Sequence, residues 1–238
     1  MTLPPSLSPA PHLRLVCFPS ACVALDAEKG SVLLLSEEAG LVLTQLRGTG
    51  GATSSLSPCP AQKRALVALM DAGVLIRGEE ARAWARVRPG VASSPNWGTR
   101  DSPAALAPIP RVPLRWYALG ALALLLVLGC GLRGRGGAFA RTGRLARRRS
   151  AGTADHAAAT RVAYSVRRVG RLLPFRVACW EEAASTAVAL RWAGCRADFR
   201  HGVATDPVRL HAWVEVGGRP VAESDDITDY TPFEEPDE

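Results

Sequence analysis

Lysine is nearly missing from this 238-residue chain. Lys29 and Lys63 are the only two, so the formal charge of +7 rests on arginine. No C-x-x-C pair occurs among Cys17, Cys22, Cys59, Cys130, Cys179 and Cys195, which argues against a zinc knuckle or a dithiol redox site. Histidine is limited to four residues, the His and Cys spacing suits no metal, and no glycine-rich phosphate-binding motif is present. Neither a metal nor a bound cofactor is expected. The arginines are not interleaved with aromatic residues and no nucleic-acid motif occurs, so nucleic acid is not expected as a partner. Residues 1–11 are proline-rich and uncharged and lack a signal-peptide pattern. Free thiols in a reducing cytosol are the expectation that follows.

Hydrophobic residues make up 47% of the chain, enough for one large core or two small ones. Charge is unevenly placed. Residues 100–176 carry 15 Arg against Asp101 and Asp155, whereas eight acidic residues and no base follow Arg219. A basic middle suits anionic lipid or an acidic partner.

The first module spans residues 1–87. Leu13-Arg-Leu-Val16 and Cys22-Val-Ala-Leu25 are predicted strands, residues 26–30 a turn, and residues 31–35 a third strand apolar enough to be largely covered. Ser36-Glu-Glu-Ala then opens a helix. Ser36 can cap free amides, and Glu37 and Glu38 suit the positive end of the helix dipole. A second helix is expected over residues 63–72, ended by Gly73 and followed by a strand at 74–76. This order resembles the small winged-helix-like domain that recognises leader peptides of ribosomally made, modified peptides. The resemblance implies that a leader adds as a strand beside residues 31–35, with main-chain bonds giving affinity and side-chain pockets giving specificity.

Residues 88–113 are rich in Pro, Gly and Ser without periodicity and form a predicted linker. Residues 114–150 hold a hydrophobic helix and a basic segment. Within them, residues 116–132 are 17 uncharged positions flanked by arginine, at the short limit of the roughly 17–25 residues a membrane span takes. Two alternatives stay open: a span or membrane contact through 116–132, and a hydrophobic helix buried in the protein or lying on a membrane surface. The location expected is cytoplasmic, with membrane association only through this helix.

The chemistry is expected in the last module, residues 151–238. Pro174 breaks the chain between two helices. The second of these starts near Ala178, which puts Cys179 at a helix N-terminus, where free amides and the dipole favour thiolate over thiol. The same amides could stabilise an oxyanion. Further on, residues 210–216 alternate, with His211, Trp213 and Glu215 on one face and Ala212, Val214 and Val216 on the other. Gly217-Gly218 then signals a hairpin. A histidine on this hairpin could meet the cysteine, as general base for the thiol and then as general acid for a leaving amine. His201, also on a predicted strand, has no neighbouring acidic hairpin.

Pro174-Phe175-x-x-x-Cys179-x-Glu181, Arg191-Trp-Ala-Gly194, Gly202-Val203, His211-Ala-Trp-Val-Glu, Gly-Arg-Pro-Val and Asp229-Tyr-Thr-Pro232 together resemble the lasso-peptide B protein, a leader peptidase. That resemblance implies an α+β chain in which the winged-helix-like recognition domain precedes a transglutaminase-like (papain-like) cysteine protease. It implies Cys179 as nucleophile and His211 as base. The partners it implies are a lasso precursor leader peptide and an ATP-dependent macrolactam synthetase. The family's usual acid is an aspartate at the twelfth position after the histidine, where this sequence has Glu223. A two-residue Gly217-Gly218 turn pairs Val216 with Arg219 and sets His211 opposite Ser224. A bulge would bring Glu223 or Asp225 opposite His211 instead; Glu223 is chosen on position, with Asp225 next. Two alternatives stay open beside the peptidase: an acyl transferase on the same fold, and a catalytically inactive protein that delivers the leader.

Overall fold

The computed structural model describes residues 3–78, 84, 86–90, 111–132, 137–148, 152–205 and 208–233, with only the backbone at 225 and 226. The chain divides into two compact units, residues 1–92 with 231–238, and residues 93–230. Most of the predicted linker, residues 91–110, lies outside the described residues. Its first positions do not behave as linker, because Val87–Pro89 is a strand.

In the first unit, β1 (Leu7–Pro9) pairs antiparallel with β5 (Leu75–Arg77). A separate sheet has the order β4 (Val32–Leu35), β3 (Cys22–Asp26), β2 (Leu13–Cys17), β6 (Val87–Pro89), with β6 parallel to β2. Two helices, α1 (Glu37–Gly48) and α2 (Pro60–Asp71), complete the unit. Ser36 caps α1 by accepting from the Ala39 amide. Leu15, Ala24, Val42, Leu43, Leu46, Leu66 and Leu69 share one core. Trp84 is buried and donates its indole N–H to the Leu7 carbonyl at 3.2 Å, tying β1 to the segment before β6.

Two expectations are corrected here. The third predicted strand, β4, is not covered. Among the described residues it pairs with β3 alone, and Val32, Leu33 and Leu34 are exposed, Leu34 to 65%. Strand alternation puts apolar side chains on both faces of this edge. The thiols are not all free either. Cys17 and Cys22 face each other across the β2–β3 ladder, Cα atoms 4.0 Å apart, and form a disulfide, while Cys59, Cys130, Cys179 and Cys195 are free. Only the hairpin register, not the spacing of the two cysteines, brings them together.

The second unit is built round one helix. α6 (Cys179–Trp192) is buried on every side from Ala183 to Leu190, as suits a helix covered all round. α3 (Leu114–Leu132), α4 (Ala138–Arg147), α5 (His156–Gly170) and the strand β8 (Arg209–Val216) pack against it. The hydrophobic helix, for which both burial in the protein and a membrane contact were open, contributes Ala123 and Val127 to this core. Its Gly120 meets α5 so closely that an added Cβ would sit 2.7 Å from the Ser165 hydroxyl and 3.2 Å from the Val166 amide nitrogen. The opposite face leaves Leu122, Leu125, Leu126 and Leu132 exposed. α3 is long and apolar enough to cross a membrane, and less than a quarter of its apolar stretch is buried.

β7 (Asp198–Ala204) and β8 form an antiparallel ladder, extended by the short β9 (Arg219–Pro220) through the turn at Gly217 and Gly218, both with positive φ. Ala212, Val214 and Val216 point into the core of the unit, and His211, on the opposite face, is left beside the start of α6.

Candidate active site

Cys179 is the first residue of α6, which has no side-chain cap. Its first amides are therefore free of intrahelical acceptors. The neighbouring Trp180 anchors this helix end. It stacks on Phe139 of α4 at 3.7 Å between ring centroids and meets Phe199 edge-on at 4.9 Å. The Arg147 guanidinium lies 6.0 Å from its ring. The tip that carries the thiol is thus fixed by aromatic packing on the face away from the thiol.

His211 reaches the same place from β8. Its cross-strand partner is Gly202, which puts no side chain beside the imidazole. Trp213, next on the same face, is buried, lies nearly parallel to the imidazole with centroids 6.2 Å apart, and donates its indole N–H to Glu215 at 2.9 Å. Tyr230 approaches the imidazole from another side, 5.4 Å between centroids. His201 pairs with Ala212 and so sits on the other face of the sheet, in the ring cluster of Phe139, Trp180 and Phe199.

Glu223 completes the group. Its Oε2 lies 2.9 Å from His211 Nε2, and its side chain is only 8% exposed. The hairpin explains how it gets there. Val216 pairs with Arg219 and Glu215 with Pro220, the register of a simple two-residue turn. The Val221 amide still bonds to the Val214 carbonyl at 2.9 Å. Ala222 then adopts φ +56°, alone among the described non-glycine residues in having a positive φ. That left-handed residue, worth about 1–2 kcal/mol of strain for an L-residue, rotates Glu223 onto the face of His211. The side chain of Asp225, the other candidate, lies outside the described residues.

The electrostatics follow from these contacts. Burial pushes the Cys179 thiol up, but the hydrogen bond and charge of His211, and the Ala212 backbone amide, outweigh it and hold the thiol below its ordinary value, while Glu181 opposes them. Burial alone would lower His211. The hydrogen bond to Cys179 and the bond and charge of Glu223 instead raise it from 6.5 to about 9. Because Nε2 faces Glu223, Nδ1 is left for the thiol. Between these two titrations the pair exists as thiolate and imidazolium, the reactive form of a cysteine nucleophile.

A cleft of ≈ 500 Å³ adjoins the sulfur, lined by Arg171, Phe175, Arg176, Val177, Leu210 and His211 among others. Phe175 and Leu210 are exposed apolar walls. Among the described residues no group of three or more His, Cys, Asp or Glu could hold a metal.

One further residue lies behind this group. Arg167 of α5 donates to Glu223 Oε1 from Nη2 at 2.9 Å, to Glu182 of α6 from Nε, and to the Ala222 carbonyl from Nη1. Nothing in the sequence separates it from the 14 other arginines of residues 100–176, because its role depends on a carboxylate 56 positions away.

No curated protein and no solved structure matches the chain. Residues 122–235 match the family described as the Transglutaminase-like superfamily, a fold shared by cysteine peptidases and acyl transferases, and this span begins inside α3 and contains Cys179, His211 and Glu223. The chain therefore carries, over residues 122–235, a domain of the transglutaminase-like superfamily.

Proposed function

We propose that this protein is a cysteine peptidase that binds the leader of a lasso-type precursor peptide and removes it before an ATP-dependent synthetase closes the macrolactam. The observation that carries the reading is the contact chain Cys179–His211–Glu223 beside an open cleft. In the proposed reaction the Cys179 thiolate attacks the scissile carbonyl and a carbon–sulfur bond forms. The free amides at the start of α6 take up the oxyanion. The C–N bond then breaks as the imidazolium gives its proton to the leaving amine. Water, deprotonated by His211, attacks the thioester and releases the leader acid and the thiol.

Leader recognition is supported by β4. It is an apolar strand at the edge of its sheet, with no partner strand on its outer side among the described residues, the feature needed for strand addition. Membrane association is a further part of the proposal. It rests on the exposed leucines of α3, and an in-plane contact fits better than a span because the other face of α3 belongs to the core.

The test is mass spectrometry of the precursor peptide incubated with the full chain and with Cys179→Ala. A single hydrolytic cut between leader and core, absent from the variant, is the expected result. Transfer of the acyl group to an added amine in place of water would assign the acyl-transferase reading. Tight leader binding with no cut, synthetase present, would assign the delivery reading.

A further inference from the structure

We infer that Arg167 is a positioning residue: it locks Glu223 onto His211 and ties that arm to the helix that carries Cys179. This inference rests on the reading of Cys179, His211 and Glu223 as the reacting group. Three observations support it independently of that chemistry. All three guanidinium nitrogens donate, to Glu182, to Ala222 and to Glu223. The three acceptors come from both sides of the site, one from the first turn of α6 and two from the arm that follows β9. One of them is the carbonyl of the positive-φ residue Ala222. A planar fork satisfies such a set, and an ammonium point charge does not. The side chain is 15% exposed, so little water competes for these bonds.

Without this clamp Ala222 keeps only its packing against the core and the bond of the preceding Val221, and Glu223 turns away from the imidazole. A purely electrostatic role predicts the opposite sign. Removing a cation beside Glu223 would leave the carboxylate a stronger partner for the imidazolium, and His211 would keep its proton to higher pH. The other groups facing His211 are Cys179 of α6 and the rings of Trp213 and Tyr230, with Glu181 near the sulfur; none of them changes in the comparison.

The experiment is alkylation of the full chain by iodoacetamide between pH 5 and 10, with Cys179 followed separately from the other thiols by peptide mapping. Wild type, Arg167→Met and Arg167→Lys are compared after circular dichroism has established folding. Wild-type Cys179 is expected to titrate below the ordinary thiol value, with an upper inflection at about 9 as His211 loses its proton. In Arg167→Met the upper inflection falls toward 6.5, and the rate at pH 7 falls by about tenfold, one pKa unit of lost thiolate. Arg167→Lys keeps the cation between its two carboxylates and decides the matter should the Met variant not fold. It holds one acceptor in place of three, and its inflection also falls. An upper inflection at or above 9 in Arg167→Met, or a Lys variant that matches wild type, overturns the positioning role while leaving the reacting group intact. An ordinary thiol titration in wild type sinks both.

Discussion

Glu223 sits between a cation and an imidazole, with Oε1 on Arg167 and Oε2 on His211, each at 2.9 Å. In the proposed reaction its negative charge keeps His211 protonated until the leaving amine needs the proton. Glu223→Gln preserves shape but removes that charge. It is expected to lower kcat/KM by about 10²-fold or more, the usual range for a displaced acid–base group, and to lose more activity than Asp225→Asn. The reverse order in a precursor-cleavage assay would transfer the role to Asp225. The pH profile is set by the same contacts. Activity rises as Cys179 becomes thiolate, at a pH below the thiol's ordinary value, and falls as His211 loses its proton at about 9. A basic limb near 6.5 in the pH dependence of kcat/KM would show an imidazole without its partners.

At the scale of elements, most of the framework was legible. β2, β3, α1, α2, α6 and β8 lie within a few residues of where apolar periodicity, the Ser36 cap and the break at Pro174 put them. Cys179 at a helix start and His211 on a hairpin were legible because each depends on local pattern. The arm carrying Glu223 was legible only as a choice between two residues, since it turns on one backbone angle at Ala222 that no propensity favours. Arg167 was not legible at all, for its partners are fixed only by tertiary packing. The disulfide was missed because it needs the exact β2–β3 register. The contact of α3 with α5 makes a further prediction. Gly120→Ala drives a methyl group into the Ser165 hydroxyl and the Val166 amide, so the helices must separate. The expected loss is about 1–3 kcal/mol, read as a lower urea midpoint at unchanged slope. An unchanged midpoint would mean that the two helices do not meet at Gly120.

For the molecule as a whole, recognition and cleavage are assigned to different units, and the proposal therefore predicts that each can be damaged alone. Leu34 on β4 is exposed and lies outside the core of its unit, so Leu34→Asp leaves the fold intact. If a leader adds to this edge and covers Leu34, the substitution removes an apolar contact of about 1.5–3 kcal/mol, or roughly 10- to 150-fold in affinity. Fluorescence anisotropy of a labelled leader peptide reads that loss directly. Alkylation of Cys179 by iodoacetamide in the same variant reads the reacting group, and its rate and pH dependence should match wild type. Unchanged leader affinity would show that β4 is not the docking strand, whatever the cleavage chemistry. A changed alkylation profile would show instead that the two activities do not separate along the boundary between the compact units.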